Sequence, residues 1–333
     1  MILMTLPREV ILDIVEQLDA DSTKHFMATS KVARQIAQAH ERSLSKARVA
    51  KFGFEPTGAV LSSSHTERYA IPAYTFGLCG ELELRELRVN YLLTNTTQYL
   101  NISSPPGLPA LSVEQQGRLM ALMRRALNLC DSIADIAAND PCKPVPGTSY
   151  DAVSTSVWSS QYYPKDLYDF DPFANPAARP YQVAYIRSLS TEDLAIIYFL
   201  VNMLGLGFSE AKKFGVSDPN VVERIMVFEE CVLRHGTWFL WAQTQRGRTA
   251  TPGMPELAGE MQRAGLRELT AWESGDPDIV AGLKMTLLDS FRGQSNADPE
   301  VLLKMFKVVR GLVVGKDKPT QEKKGEEQKD IKE

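Results

Sequence analysis

Cysteine is scarce and scattered in this chain. Cys79, Cys130, Cys142 and Cys231 are the only four in 333 residues, and their separations of 51, 12 and 89 positions contain no close pair. Neither a disulfide framework nor a zinc knuckle is expected, and a reducing intracellular setting, cytoplasmic or nuclear, fits best. Histidine is equally rare, and only Cys231 and His235 stand at a ligand spacing. Two ligands fall short of the four a structural zinc needs, so the expectation is no metal and no other cofactor. Excess basic charge is also missing: 37 Lys and Arg against 41 Asp and Glu leave a net charge of -4. That balance lacks the cationic footprint by which nucleic-acid binders neutralise phosphates, and nucleic acid is not an expected partner.

Long apolar runs are lacking as well. The longest stretch, Leu194 to Phe208, is interrupted by Asn202, Gly205 and Gly207 and falls short of the roughly 18 to 20 apolar residues of a membrane span. It reads as a buried helix, with no membrane partner. The N-terminus has no basic segment ahead of an apolar run, so a secretory signal is not expected. On that reading Asn95-Thr96-Thr97 and Asn101-Ile102-Ser103 are chance matches to a glycosylation acceptor. Catalytic motifs are missing: the sequence has no GxSxG elbow, no HExxH and no phosphate loop. Gly205-Leu206-Gly207 follows an apolar helix where a dinucleotide motif would open one, so it reads as a helix stop. No catalytic residue is assigned, and the chain is not expected to be an enzyme.

What is present is helical patterning. Val10, Ile14 and Leu18 recur every fourth position beside Ile11 and Val15, which defines a wide apolar stripe on a helix that Pro7 can open. Asp19 to Ser22 supply turn and cap chemistry for a short second helix over Thr23 to Thr29, and a third is expected from Lys31 to Lys51. Between 52 and 110 the signals are mixed, with weak alternation over Arg68 to Phe76 and helical spacing over Glu81 to Leu93. Ser112 with Gln115 forms a capping box ahead of a long amphipathic helix running towards Asn139. Seven prolines and many aromatics crowd 139 to 180, too many breaks for regular elements and too many aromatics for a free linker. Ser190 with Asp193 opens a further box. Asp218-Pro219, Asp276-Pro277 and Asp298-Pro299 read as an N-cap followed by a first-turn proline, with Gly236, Gly293 and Gly315 as stops. Lys316 to Glu333 carries six basic and six acidic residues and is expected to be a solvated, disordered tail.

The fold class expected is therefore mainly α: an N-terminal three-helix module over 1–51, a mixed connector over 52–110 and a non-repetitive helical domain over 111–315. The connector is irregular, the helical domain holds the proline and aromatic insert, and the tail at 316–333 is disordered. The helical domain is long enough to fold without the module.

The run Leu6-Pro7-Arg8-Glu9-Val10-Ile11-Leu12-Asp13-Ile14-Val15-Glu16-Gln17-Leu18 resembles, without a gap, the opening of an F-box. The likeness continues through Ser30-Lys31 and covers roughly residues 5 to 45. Thr23 and Thr29 stand where the family usually has aliphatic residues, and Ala33 where it usually has an aromatic. The resemblance implies a non-catalytic substrate-receptor subunit that docks on a Skp-type adaptor and, through it, on a cullin scaffold. Its helical part would hold a protein substrate for ubiquitin-dependent degradation. By position, Leu6, Pro7, Val10, Ile14 and Leu18 would be the docking residues, and an aromatic restored at 33 would tighten docking. A helical enzyme of another family and an interaction scaffold that works without a ligase are the alternatives.

Overall fold

The computed structural model describes residues 6–52, 54, 56, 58–63, 69–94, 99–139, 178–212, 220–244, 254–275, 282–296 and 299–315. They form a mainly helical protein with twelve α-helices and one short hairpin. Helices α1 (Arg8–Gln17), α2 (Ala20–Thr29), α3 (Lys31–Ala39) and α4 (Glu41–Val49) come first, so the N-terminal module has four helices instead of the expected three. The long third helix is interrupted at His40, whose φ of -115° and ψ of 11° leave helical geometry. The break lets Leu44 fold back onto Ile11, Val15, Phe26, Ala33 and Ala37, while Val49 joins a different cluster with Val60 and Leu82. Local caps set the other boundaries: the Asp19 carboxylate accepts from the Ser22 N-H at 2.7 Å and the Ser30 hydroxyl from the Ala33 N-H at 3.1 Å.

Strands β1 (Val60–Leu61) and β2 (Ala70–Ile71) pair antiparallel, with Val60 opposite Ile71. Helix α5 (Phe76–Thr94) follows, so the stretch read as a connector holds a hairpin and a long helix. α6 (Val113–Asp135) begins at the expected capping box of Ser112 and Gln115 and ends in a 3-10 turn, Ile136–Asn139. Residues 140–177, most of the proline and aromatic insert, lie outside the described residues, as does the tail from 316. α7 (Arg179–Ser188), α8 (Thr191–Lys212), α9 (Val221–Thr244), α10 (Met254–Glu273), α11 (Leu283–Ser295) and α12 (Val301–Val314) complete the chain.

The core is built round α8, which packs against α6, α9, α11 and α12. Every residue from Leu194 to Val201 is buried. By length and composition α8 is the one helix among the described residues that could cross a membrane, but its apolar surface is the centre of this core. Gly205 and Gly207 do not stop it: the helix runs on to Lys212. Their role is close approach. A Cβ on Gly205 would stand 2.5 Å from the Glu229 carboxylate, and one on Gly207 would collide with the Tyr99 carbonyl and lie 2.8 Å from its Cα.

Apart from Pro299, the residues of the three Asp-Pro dipeptides lie outside the described residues. α9 starts at Val221, α11 at Leu283 behind Gly282, and α12 at Val301 behind Glu300. At α11 the orphan N-H groups of the first turn are satisfied from another helix: the Glu230 carboxylate accepts from Leu283 at 2.9 Å and from Lys284 at 3.2 Å. Gly293 lies inside α11, and Gly315 does end α12 with a φ of 91°. Gly236 breaks α9 with φ 63° and ψ -151°, yet the helix resumes at once.

Candidate functional site

The residues singled out by the F-box resemblance lie along α1 and just ahead of it, and the helix sorts them into two groups. Ile11 and Val15 face inward and are fully buried. Val10 and Ile14, each one residue and so about 100° round the helix, are not members of that core; Val10 is 40% exposed and Ile14 half-buried. Pro7 is exposed at the N-cap, with φ -52° and ψ 146°. Leu6 and Leu18 are half-buried against the module's own core. Pro7, Val10 and Ile14 thus share the outward side, whereas Leu6 and Leu18 are already partly spent inside.

A cleft of about 400 Å³ opens beside Leu6 between α1 and α3. Ile11, Val32, Ile36 and Ala39 supply its apolar lining, with Arg8 and Gln35 as its polar members. Val32 is 53% exposed. None of the α3 residues was picked out from the sequence. The spacing of 32, 36 and 39 is the signal that could have found them, because those positions share one helix face.

The two departures from the F-box pattern that fall in the module's interior differ in kind. Ala33 is fully buried, so the site holds no room for an aromatic and presents nothing to a partner. Thr23 is also fully buried; its hydroxyl donates to the Asp19 carbonyl at 2.7 Å and accepts from Arg48 Nη2 at 2.6 Å. The same guanidinium donates to the carbonyls of Val15 and Asp19, each at 3.2 Å.

Two buried charge networks lie in the rest of the chain. In the first, Arg85 grips the Asp135 carboxylate with both Nη atoms at 2.7 Å and donates to Glu81 at 3.1 Å. Arg88 donates to Glu81 at 3.1 Å, to the Ser63 hydroxyl and to Thr237 at 3.4 Å. Burial pushes the Glu81 carboxyl up, but Arg85 and Arg88 outweigh it and hold the group below the usual carboxylate range. At Asp135 burial wins over Arg85 and the pKa is raised. In the second network, Arg234 grips Glu268 with two bonds of 2.8 Å and Glu230 with one of 2.9 Å, while Lys284 donates to Glu229.

Adjacent carboxylates pushed in opposite directions can mark acid and base partners. Here Glu229 is raised by burial, which Lys284 only partly offsets. Glu230 is driven up by burial but held low by Arg234 and Arg179. Glu229 Oε2 accepts from Lys284, and the Glu230 carboxylate accepts from Arg234 and from the start of α11, so both tie helices together. Cys231 and His235 are buried on α9 beside them, and no group of three or more metal-ligating side chains occurs among the described residues. The first network joins α5 to α6 and α9, and the second joins α9 to α10 and α11.

The chain matches no protein-family model, no curated protein and no solved structure.

Proposed function

We propose that this chain is a non-catalytic substrate receptor whose N-terminal helices dock on a Skp-type adaptor, and through it on a cullin, while the helical body presents a protein for ubiquitin transfer. Proximity would be its contribution: holding acceptor and machinery together turns an encounter between free partners into a local one. The observation that carries the reading is the sorting of α1. Ile11 and Val15 fill the module's interior, and the stripe of Val10 and Ile14 next to them is left outward with Pro7 at its end. An apolar stripe beside a filled core is what a helix needs to meet a second set of helices.

The test is direct binding of the full chain to a purified Skp-type adaptor. Replacing Val10 and Ile14 together by Asp places two charges in the apolar contact, at a cost of several kcal/mol. At 1.4 kcal/mol per tenfold, affinity should fall at least ~100-fold with the circular dichroism spectrum unchanged. Val222→Asp, at an exposed position on α9, should bind like the parent. A folded parent chain that shows no adaptor binding removes this reading and leaves a scaffold that works without a ligase.

A further inference from the structure

Helix α5 is shared between the N-terminal module and the helical body. Towards the module, both oxygens of the Glu83 carboxylate accept from the Ala20 N-H at 3.0 Å, serving the first turn of α2. In return, Glu41 of α4 accepts from the Phe76 N-H at 2.8 Å, serving the first turn of α5. Each element thus caps the other, which satisfies orphan donors that neither segment covers locally. Between these crossed caps the chains touch closely: a Cβ on Gly80 would stand 3.2 Å from that of Ala20. Leu78 and Leu82 share a buried cluster with Val49 of α4.

Towards the body, the same helix sends Glu81, Arg85 and Arg88 into the first charge network, which reaches Asp135 on α6 and Thr237 on α9. Val89, Leu92 and Leu93 enter the main core with residues of α6 and α8. One rigid helix therefore carries polar and apolar contacts to both parts, and opening either part strips buried donors or charges from α5.

We infer that α5 is a strut that fuses the docking module and the helical body into one cooperative unit. This departs from the expectation that 111–315 folds independently, and it stands whether or not the partner is a Skp-type adaptor. Its consequence is that a molecule bound on α1 is held at one orientation to the body and stabilises the whole chain by mass action.

Native-state hydrogen exchange of the full chain across a denaturant series tests the strut. In the parent, the slowest amides of α2, α4 and α9 should exchange through one common opening with the same denaturant dependence. Glu83→Ala should accelerate all three by the same factor, about two- to thirty-fold from the loss of a helix cap. Glu83→Gln, which keeps one acceptor oxygen, should restore most of the protection. Parent amides of α2 and α4 that exchange through a smaller, separate opening overturn the proposal, and that measurement decides even where Glu83→Ala does not fold. Acceleration confined to the first four helices overturns it equally.

Discussion

Gly236 is the position where this fold demands glycine most sharply, and Gly236→Ala puts a number on the demand. Its φ of 63° and ψ of -151° belong to a region that residues bearing a Cβ occupy at a cost of order 1–3 kcal/mol. An added Cβ would also collide with Asp131 Oδ1 and stand 3.0 Å from the Asp131 Cα, so rotating one side chain does not relieve it. Asp131 is buried, and its carboxylate accepts from the Thr237 N-H at 2.7 Å and from the Thr237 hydroxyl at 2.8 Å. Displacing it leaves the N-H that opens the second half of α9 buried without a partner, at roughly 1–3 kcal/mol more. The two effects together come to about 2–6 kcal/mol. At about 2–4 °C per kcal/mol for a large domain, Tm should fall by roughly 4–24 °C. Gly293→Ala is the control: exposed, inside α11, with nothing within 4 Å of its added Cβ, it should gain about 0.5–1 kcal/mol of helix propensity. Scanning calorimetry of the parent and the two variants makes the comparison. A Gly236→Ala protein that melts within a degree of the parent would refute the reasoning.

Two further perturbations probe the module and the second charge network. Ala33→Trp forces an indole into a site that is 0% exposed between Ile11, Val15, Phe26 and Leu44. It should destabilise the chain by at least ~1–3 kcal/mol in urea titrations, and adaptor binding should not tighten; a stable variant that binds more tightly reverses this. Glu230 has its pKa held below 4.5, its burial outweighed by Arg234 and Arg179. Stability from a depressed carboxylate is fully present above its unfolded pKa and is lost as pH falls through the folded one. Glu230→Gln should therefore be less stable than the parent at pH 7, with a gap that narrows as pH falls below about 4.5. A gap that stays constant down to pH 3 would mean that ionised Glu230 contributes nothing.

Helices whose signals are local could be read from the sequence. α6 has its box at Ser112 and Gln115 and keeps its apolar spacing to Ile133; α8 is apolar enough to be recognised as core from composition alone. The misread boundaries are those set by residues far away in the chain. α11 begins where Glu230 can reach it, and the second half of α9 begins where Asp131 inserts its carboxylate. No window around Leu283 or Gly236 contains that information. Gly205 and Gly207 look like stops because local propensity treats glycine as a breaker, whereas their neighbours Glu229 and Tyr99 require the missing Cβ. The outward stripe of α1 was half legible for the same reason: its period showed in Val10 and Ile14, but the rotation that sends Leu18 partly inward depends on α2 to α4.

Thr23 shows how such distant partners change the meaning of a sequence pattern. Taken alone, a threonine at an aliphatic position is a weakened core. With Arg48 it is one half of a polar unit. Arg48 is 4% exposed and donates from Nη2 to the carbonyls of Val15 and Asp19 and from Nε to that of Glu16. The Val15 and Glu16 carbonyls lie at the negative end of the α1 dipole, where a cation is favoured, and the Asp19 carbonyl opens α2. The Thr23 hydroxyl takes a further bond from the same Nη2. Valine at 23 would leave that buried contact without its oxygen, while methionine at 48 would take one donor from carbonyls that still accept from Leu18, Lys51 and Thr23. The two changes together should therefore cost less than the sum of the two made singly, as expected for residues that share one network. Arg48 thereby ties α4 to the end of α1 and the start of α2. A pattern scored one position at a time counts Thr23 as a fault in the module, although its hydroxyl belongs to the contact that ties α4 to α1 and α2.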